Sequence, residues 1–198
     1  ANSGCLFFEG LIDEDINKEF LNDIGHTDID DVDNIQHYFQ NIKSSSSIPR
    51  IPAGTALKDA YPLNSPLEKI FKNEIVSGAI NSLVGSKTVV DHQFLHLTFP
   101  SKYYAKANQR QMSQVNHQDS TIDPRTTFDI QLFYFPTAVT KEMGGTRYIP
   151  GTHLRIVNEM GIAKYQNIKG QKNIICKAGT IGIFHNGLWH GAGVNFSD

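Results

Sequence analysis

The sequence predicts a mainly β fold with flanking α-helices, arranged as a jelly-roll-like double sheet, and three observations carry that expectation. From Thr88 onward the chain is a series of short stretches rich in β-branched and aromatic residues, separated by Gly and Pro turns. Before Thr88 the sustained periodicity is helical, which places helices against a β core. The third observation is a His-x-Asp at His117 and Asp119 answered by His190, 73 residues later (190 − 117). Those side chains can meet only if the strand carrying the second piece returns beside the first.

Leu11 to Ile24 reads as an amphipathic helix: Asp13, Glu14 and Asp15 put negative charge at its first turn, and Ile12, Ile16, Phe20, Leu21 and Ile24 fall at helical spacing before Gly25. The acidic run Asp28, Asp30, Asp31, Asp33 resembles a calcium loop only in part, because position six is Asp33 and position twelve is Phe39; a solvated acidic turn is expected. Lys43 to Ala53, with four consecutive serines and Pro49 and Pro52, is expected to be a mobile loop. Ser65-Pro66-Leu67-Glu68 opens a second helix with a capping box, and Leu67, Ile70, Phe71, Ile75, Ile80, Leu83 and Val84 form its buried stripe up to Gly85.

Strands are then expected in Thr88–Phe99, around Phe128–Phe135 in the middle of a sheet, and in Arg147–Ile149, Asn173–Cys176, Ile181–Phe184 and Gly193–Phe196. At 198 residues, 39% hydrophobic and 19% charged, the chain fits one domain, 1–198, with a helical buttress over about 1–87 and a β core over about 88–198. A net charge of −2 gives no electrostatic footprint for nucleic acid or an anionic membrane, so neither is an expected partner. Cys5 and Cys176 are too few for a disulfide framework, and no apolar run approaches a membrane span or a secretory leader; the expected location is cytoplasmic. Asn195-Phe196-Ser197 matches a glycosylation sequon, taken as chance.

In an extended strand, residues i and i+2 point the same way, so His117 and Asp119 can grip one ion while Gln118 points away. Two imidazoles and one carboxylate on one face of Fe(II) leave positions open for a co-substrate and dioxygen. The competing account makes His117 and Asp119 hydrogen-bonding turn residues and His190 an interior ring. His26, His37, His92, His96 and His185 lie in no competing ligand pattern, and Trp189 is expected to be an aromatic core residue.

His117-Gln118-Asp119, the stretch Glu142 to His153 with its Pro150-Gly151-Thr152-His153, Ala178 to Phe184, and His190-Gly191-Ala192-Gly193-Val194-Asn195 together resemble the phytanoyl-CoA dioxygenase family, over roughly Thr88 to the end with the opening helix similar too. The resemblance implies a double-stranded β-helix holding Fe(II) through His117, Asp119 and His190, with 2-oxoglutarate and O2 as co-substrates. It implies oxidative decarboxylation of the oxoacid coupled to hydroxylation of an unactivated C–H bond. Relatives that halogenate replace the carboxylate with a small residue; Asp119 is kept here, which favours hydroxylation. Thr146, Arg147 and Gln131 are candidates to hold the co-substrate, with Arg125 and Lys141 as further cations, and His153 is a candidate to line the substrate pocket.

The family typically supplies an Arg roughly ten residues beyond the distal His to pair with the far carboxylate of 2-oxoglutarate. Eight residues follow His190 (198 − 190), none of them basic. A truncated C-terminus is the favoured expectation; otherwise another cation does the work, or 2-oxoglutarate is not bound. Two alternatives accompany the dioxygenase reading: a metal-binding jelly-roll enzyme that does not use 2-oxoglutarate, and a non-catalytic β-sandwich binding module. Substrate specificity is expected in the Ser-rich loop, Tyr103–Gln114 and Leu154–Gln171.

Overall fold

A computed structural model of the chain describes residues 2–26, 45, 48–106, 111, 113–119, 129–155 and 167–198. The acidic run at 28–33, most of the Ser-rich loop, Arg125, Phe128 and much of the two later specificity stretches lie outside the described residues. The chain divides into two compact units, Ile12–His96, and Ala1–Leu11 together with Leu97–Asp198.

The first unit is helical. Helix α1 (Glu14–Asp23) carries Glu14 and Asp15 in its first turn and buries Phe20, with Ile12 and Ile24 buried at its two ends. The expected second helix is two helices, α2 (Pro66–Lys72) and α3 (Glu74–Val84). Ser65 caps α2 through the Glu68 N–H, but Glu68 returns to the Asn64 N–H instead of that of Ser65. At Asn73 the backbone turns extended (φ −55°, ψ 129°), and its side chain accepts from the N–H groups of Ile75 and Val76, starting a new helix. That break resets the helical phase: Ile70, Val76 and Ile80 are buried, whereas Ile75 and Leu83 are exposed. Strands β2 (Thr55–Ala56) and β3 (Val89–Val90) form a short antiparallel ribbon. The long strand expected over Thr88–Phe99 stops at Val90; beyond it the backbone pairs with no strand among the described residues, stays irregular to Pro100 and then forms helix α4 (Ser101–Lys106).

The second unit holds two antiparallel sheets. Its strands are β1 (Cys5–Phe8), β4 (Gln114–His117), β5 (Ile130–Phe135), β6 (Thr146–Tyr148), β7 (Lys172–Asn173), β8 (Thr180–His185) and β9 (His190–Ala192). One sheet runs β1-β8-β5 and the other β4-β9-β6-β7. Among the described residues the middle strand of the first sheet is β8, not β5, and the strand that makes it so is β1, which sequence reading did not anticipate. Register puts Cys5, Phe7, Gln131, Phe133, Phe135, Thr180, Gly182 and Phe184 on one face. Phe7 and Phe184 of that face meet Tyr148 of the other sheet at ring separations of 5.7 and 5.3 Å. Ile174 and Leu188 complete the apolar core between the sheets. This is the double-stranded β-helix that was expected, in a chain that is mainly β with few helices.

Two strand assignments shift. Pairing ends at Ala192, and Gly193–Phe196 instead spends its backbone on loops: Gly193 donates to the Gly145 carbonyl at 3.3 Å and Phe196 to that of Glu142 at 2.7 Å. The Asn173–Cys176 stretch changes partner midway, from β6 to a single bridge with Val139.

Candidate metal centre

Strands β4 and β9 lie antiparallel, and His117 is the direct partner of His190. Between the paired positions β4 advances three residues, Gln114 to His117, while β9 advances two, Ala192 to His190, so β4 carries a bulge immediately before His117. The imidazoles face each other with ring centroids 4.4 Å apart. In each, Nδ1 lies 2.9 Å from the carbonyl two residues earlier, Val115 for His117 and Leu188 for His190. A carbonyl only accepts, so both Nδ1 atoms carry the proton and both Nε2 lone pairs face the gap.

Asp119 closes the set from a bend after β4, not from an extended continuation of it. Its Oδ1 lies 3.2 Å from His117 Nε2 and its Oδ2 3.3 Å from His190 Nε2, and the three ligand atoms lie within 4.8 Å of one another. His190 is buried, while His117 and Asp119 are each about a fifth exposed, so the centre opens on one side. Gln118 does point away, and it has work there that sequence reading missed. Its Nε2 donates to the carbonyls of Gly187 (2.6 Å) and Arg155 (3.1 Å), while the Asp119 N–H donates to Asn186 (3.4 Å). The bend carrying Asp119 is thereby tied to the turn that leads into His190. The donor set is one that a divalent first-row metal takes: two neutral imidazole nitrogens with fixed tautomers and a carboxylate, on one face.

Of the co-substrate candidates, Thr146 lies on the same face of its sheet as His190, since Thr146 pairs with Ala192 and Tyr148 with His190. Arg147 pairs with Gly191 and therefore points to the face opposite His190. Its buried guanidinium donates from Nε to Asn116 Oδ1 (3.1 Å) and from a terminal nitrogen to the Gln114 carbonyl (2.8 Å), and burial lowers its pKa. Gln131 sits beside the centre and donates from Nε2 to Asp119 Oδ2. His153 is buried against Gly4, 5.2 Å ring to ring from His185, and desolvation lowers its pKa. Trp189 is fully buried in the core. The Asn116–Arg147 pair was also missed, although a polar Asn inside an otherwise strand-like Gln114–His117 was its signal.

The phytanoyl-CoA dioxygenase (PhyH) family profile matches residues 2–198. The chain belongs to the phytanoyl-CoA dioxygenase family. The match takes in the helical unit as well as the β unit, a wider span than the motifs indicated. Solved structures agree at the level of the fold. AviO1 from Streptomyces viridochromogenes Tue57 is 15% identical with a TM-score of 0.60, over 99% of this chain and 85% of that one. HygX from Streptomyces hygroscopicus, crystallised with nickel and 2-oxoglutarate, is 12% identical with a TM-score of 0.60, over 100% and 79%. The non-heme alpha ketoglutarate dependent epimerase SnoN from nogalamycin biosynthesis is 15% identical with a TM-score of 0.57, over 100% and 74%. No curated protein sequence matches the chain. Among the described residues of this phytanoyl-CoA dioxygenase family member, no helix is long and apolar enough to cross a membrane.

Proposed function

We propose that the protein is an Fe(II)- and 2-oxoglutarate-dependent dioxygenase that hydroxylates an unactivated C–H bond of a small organic substrate. The observation that carries the reading is the convergence of His117 Nε2, His190 Nε2 and the Asp119 carboxylate, with both imidazole tautomers locked by backbone carbonyls. The related fold crystallised with nickel and 2-oxoglutarate, and with hygromycin B in a further structure, supports an oxoacid co-substrate and a small-molecule substrate. When bound, iron with 2-oxoglutarate and O2 supplies oxidative decarboxylation to succinate and carbon dioxide together with removal of hydrogen from the substrate.

The chain's own residues do the holding. His117 and His190 present unprotonated nitrogens whose orientation costs no rearrangement on binding, and Asp119 contributes the negative charge that favours a divalent ion. The aromatic wall of Phe133 and Phe184, with ring centroids 6.2 and 6.3 Å from that of His190, keeps water from the inner side. Thr146 is assigned to the co-substrate side of the centre, and the retained carboxylate of Asp119 favours hydroxylation over halogenation. Epimerase and carbocyclase neighbours share the fold, so the chemical outcome is tested directly.

The test is an anaerobic titration of the purified protein with Fe(II) and then 2-oxoglutarate, following the visible charge-transfer band of a chelated oxoacid–iron complex. The band is expected in the wild type and absent in His117→Ala and His190→Ala, which should fold normally and lose iron. Asp119→Gly should keep part of the metal and lose hydroxylation. Stoichiometric iron without the band or succinate would move the protein to an oxoglutarate-independent metal enzyme.

A further inference from the structure

On the inner face of the β1-β8-β5 sheet the residues of β5 are Gln131, Phe133 and Phe135, opposite Phe184, Gly182 and Thr180. Gln131 is the one amide on that aromatic face. Its Nε2 donates to Asp119 Oδ2, and chemistry decides that orientation, because a carboxylate accepts only. The other end of the same amide, Oε1, is buried without a hydrogen-bond partner among the described residues. A buried acceptor left unmatched is unfavourable, so the amide is not there for general polar packing. Its single hydrogen bond among the described residues is the one to Asp119.

Resting on the metal-centre reading above, we infer that Gln131 is a positioning residue that engages Asp119 Oδ2 and fixes the rotation of the carboxylate within the donor set. Asp119 stands on a bend outside the ladder, so strand register does not set the rotation of its side chain. Held by Gln131, the carboxylate keeps its oxygens beside the Nε2 atoms of His117 and His190.

Co(II) is the probe, since it binds such sites without turnover and its visible absorption reports coordination number. Wild type, Gln131→Met, Asp119→Ala and the double variant are titrated with Co(II), with circular dichroism and urea unfolding of the metal-free proteins as folding controls. Gln131→Met keeps the side chain's length and removes the donor; Gln131→Leu replaces it should the Met variant fail to fold. Gln131→Met is expected to weaken Co(II) by about tenfold or more and to change the spectrum. The double variant should bind no worse than Asp119→Ala alone, because Gln131 acts through Asp119. Wild-type affinity with an unchanged spectrum in Gln131→Met overturns the inference, as do losses that add in the double variant. Failure of the wild type to bind Co(II) overturns the metal-centre reading itself, so the two failures are distinct.

Discussion

At Arg147 a buried cation takes no part in the metal's side of its sheet. It spans to Asn116 and to the Gln114 carbonyl, bracing the stretch of β4 that bulges just before His117. Arg147→Met removes charge-assisted hydrogen bonds and takes a donor from two acceptors, so a loss of about 2 kcal/mol in urea unfolding is expected. The 2-oxoglutarate concentration that half-saturates the iron band should stay the same. Weaker oxoacid binding at unchanged stability would return Arg147 to the co-substrate. At this scale the sequence pointed to the three residues whose donor atoms converge, His117, Asp119 and His190, because together they carry chemistry few structural roles require. It revealed direction poorly: in the three-residue strand β6 a shift of one position separates Thr146, on the His190 face, from Arg147, on the other.

Between elements, the centre depends on how closely β9 approaches β4. A Cβ built on Gly191 would lie 2.8 Å from the Gln114 carbonyl oxygen and 2.9 Å from that of Val115. The same bulge supplies the carbonyl that sets the His117 tautomer. Gly191→Ala must therefore push the strands apart where His117 and His190 pair. Co(II) affinity should fall about tenfold or more in a protein that still folds, and wild-type affinity would show that the strands absorb a methyl group freely. Gly144 makes a comparable close approach: its φ is +60° and a Cβ there would collide with the Val194 carbonyl, which gives the Gly144-Gly145 turn a physical reason. The helix start at Ser65 was readable, because capping acts within a few residues, whereas α1 begins at Glu14 and not at Leu11, and Asp13 makes no side-chain cap hydrogen bond. The break at Asn73 was not: the residues around it keep a helical pattern, and only the cap it forms shows that the phase restarts.

For the β unit as a whole, acid sensitivity follows from two desolvated rings, His153 buried and His185 half-buried. Desolvation lowers the pKa of both from the ordinary 6.5; at His185 the His153 ring adds to this and Asp129 opposes it. The unfolded chain then binds more protons than the folded one once pH drops below about 6.5, so stability is full above that value and declines as pH falls through the folded values. In metal-free protein the urea midpoint should fall from about pH 7.5 to about pH 5.5, and less steeply in His153→Gln. A flat profile would show that both rings charge in place without cost.

The sequence by itself determined the candidate donor set, the family motifs, the β-rich second half and the capped helix start at Ser65, because each is written in residue chemistry or in interactions a few residues long. Tertiary structure alone decided that β1 joins the sheet and makes β8 its centre, that His117 pairs with His190 across a bulge, that Gln131 reaches Asp119, and that Arg147 points to the face opposite His190. Each of those depends on register between distant segments, where a shift of one residue sends a side chain to the opposite face at little local cost.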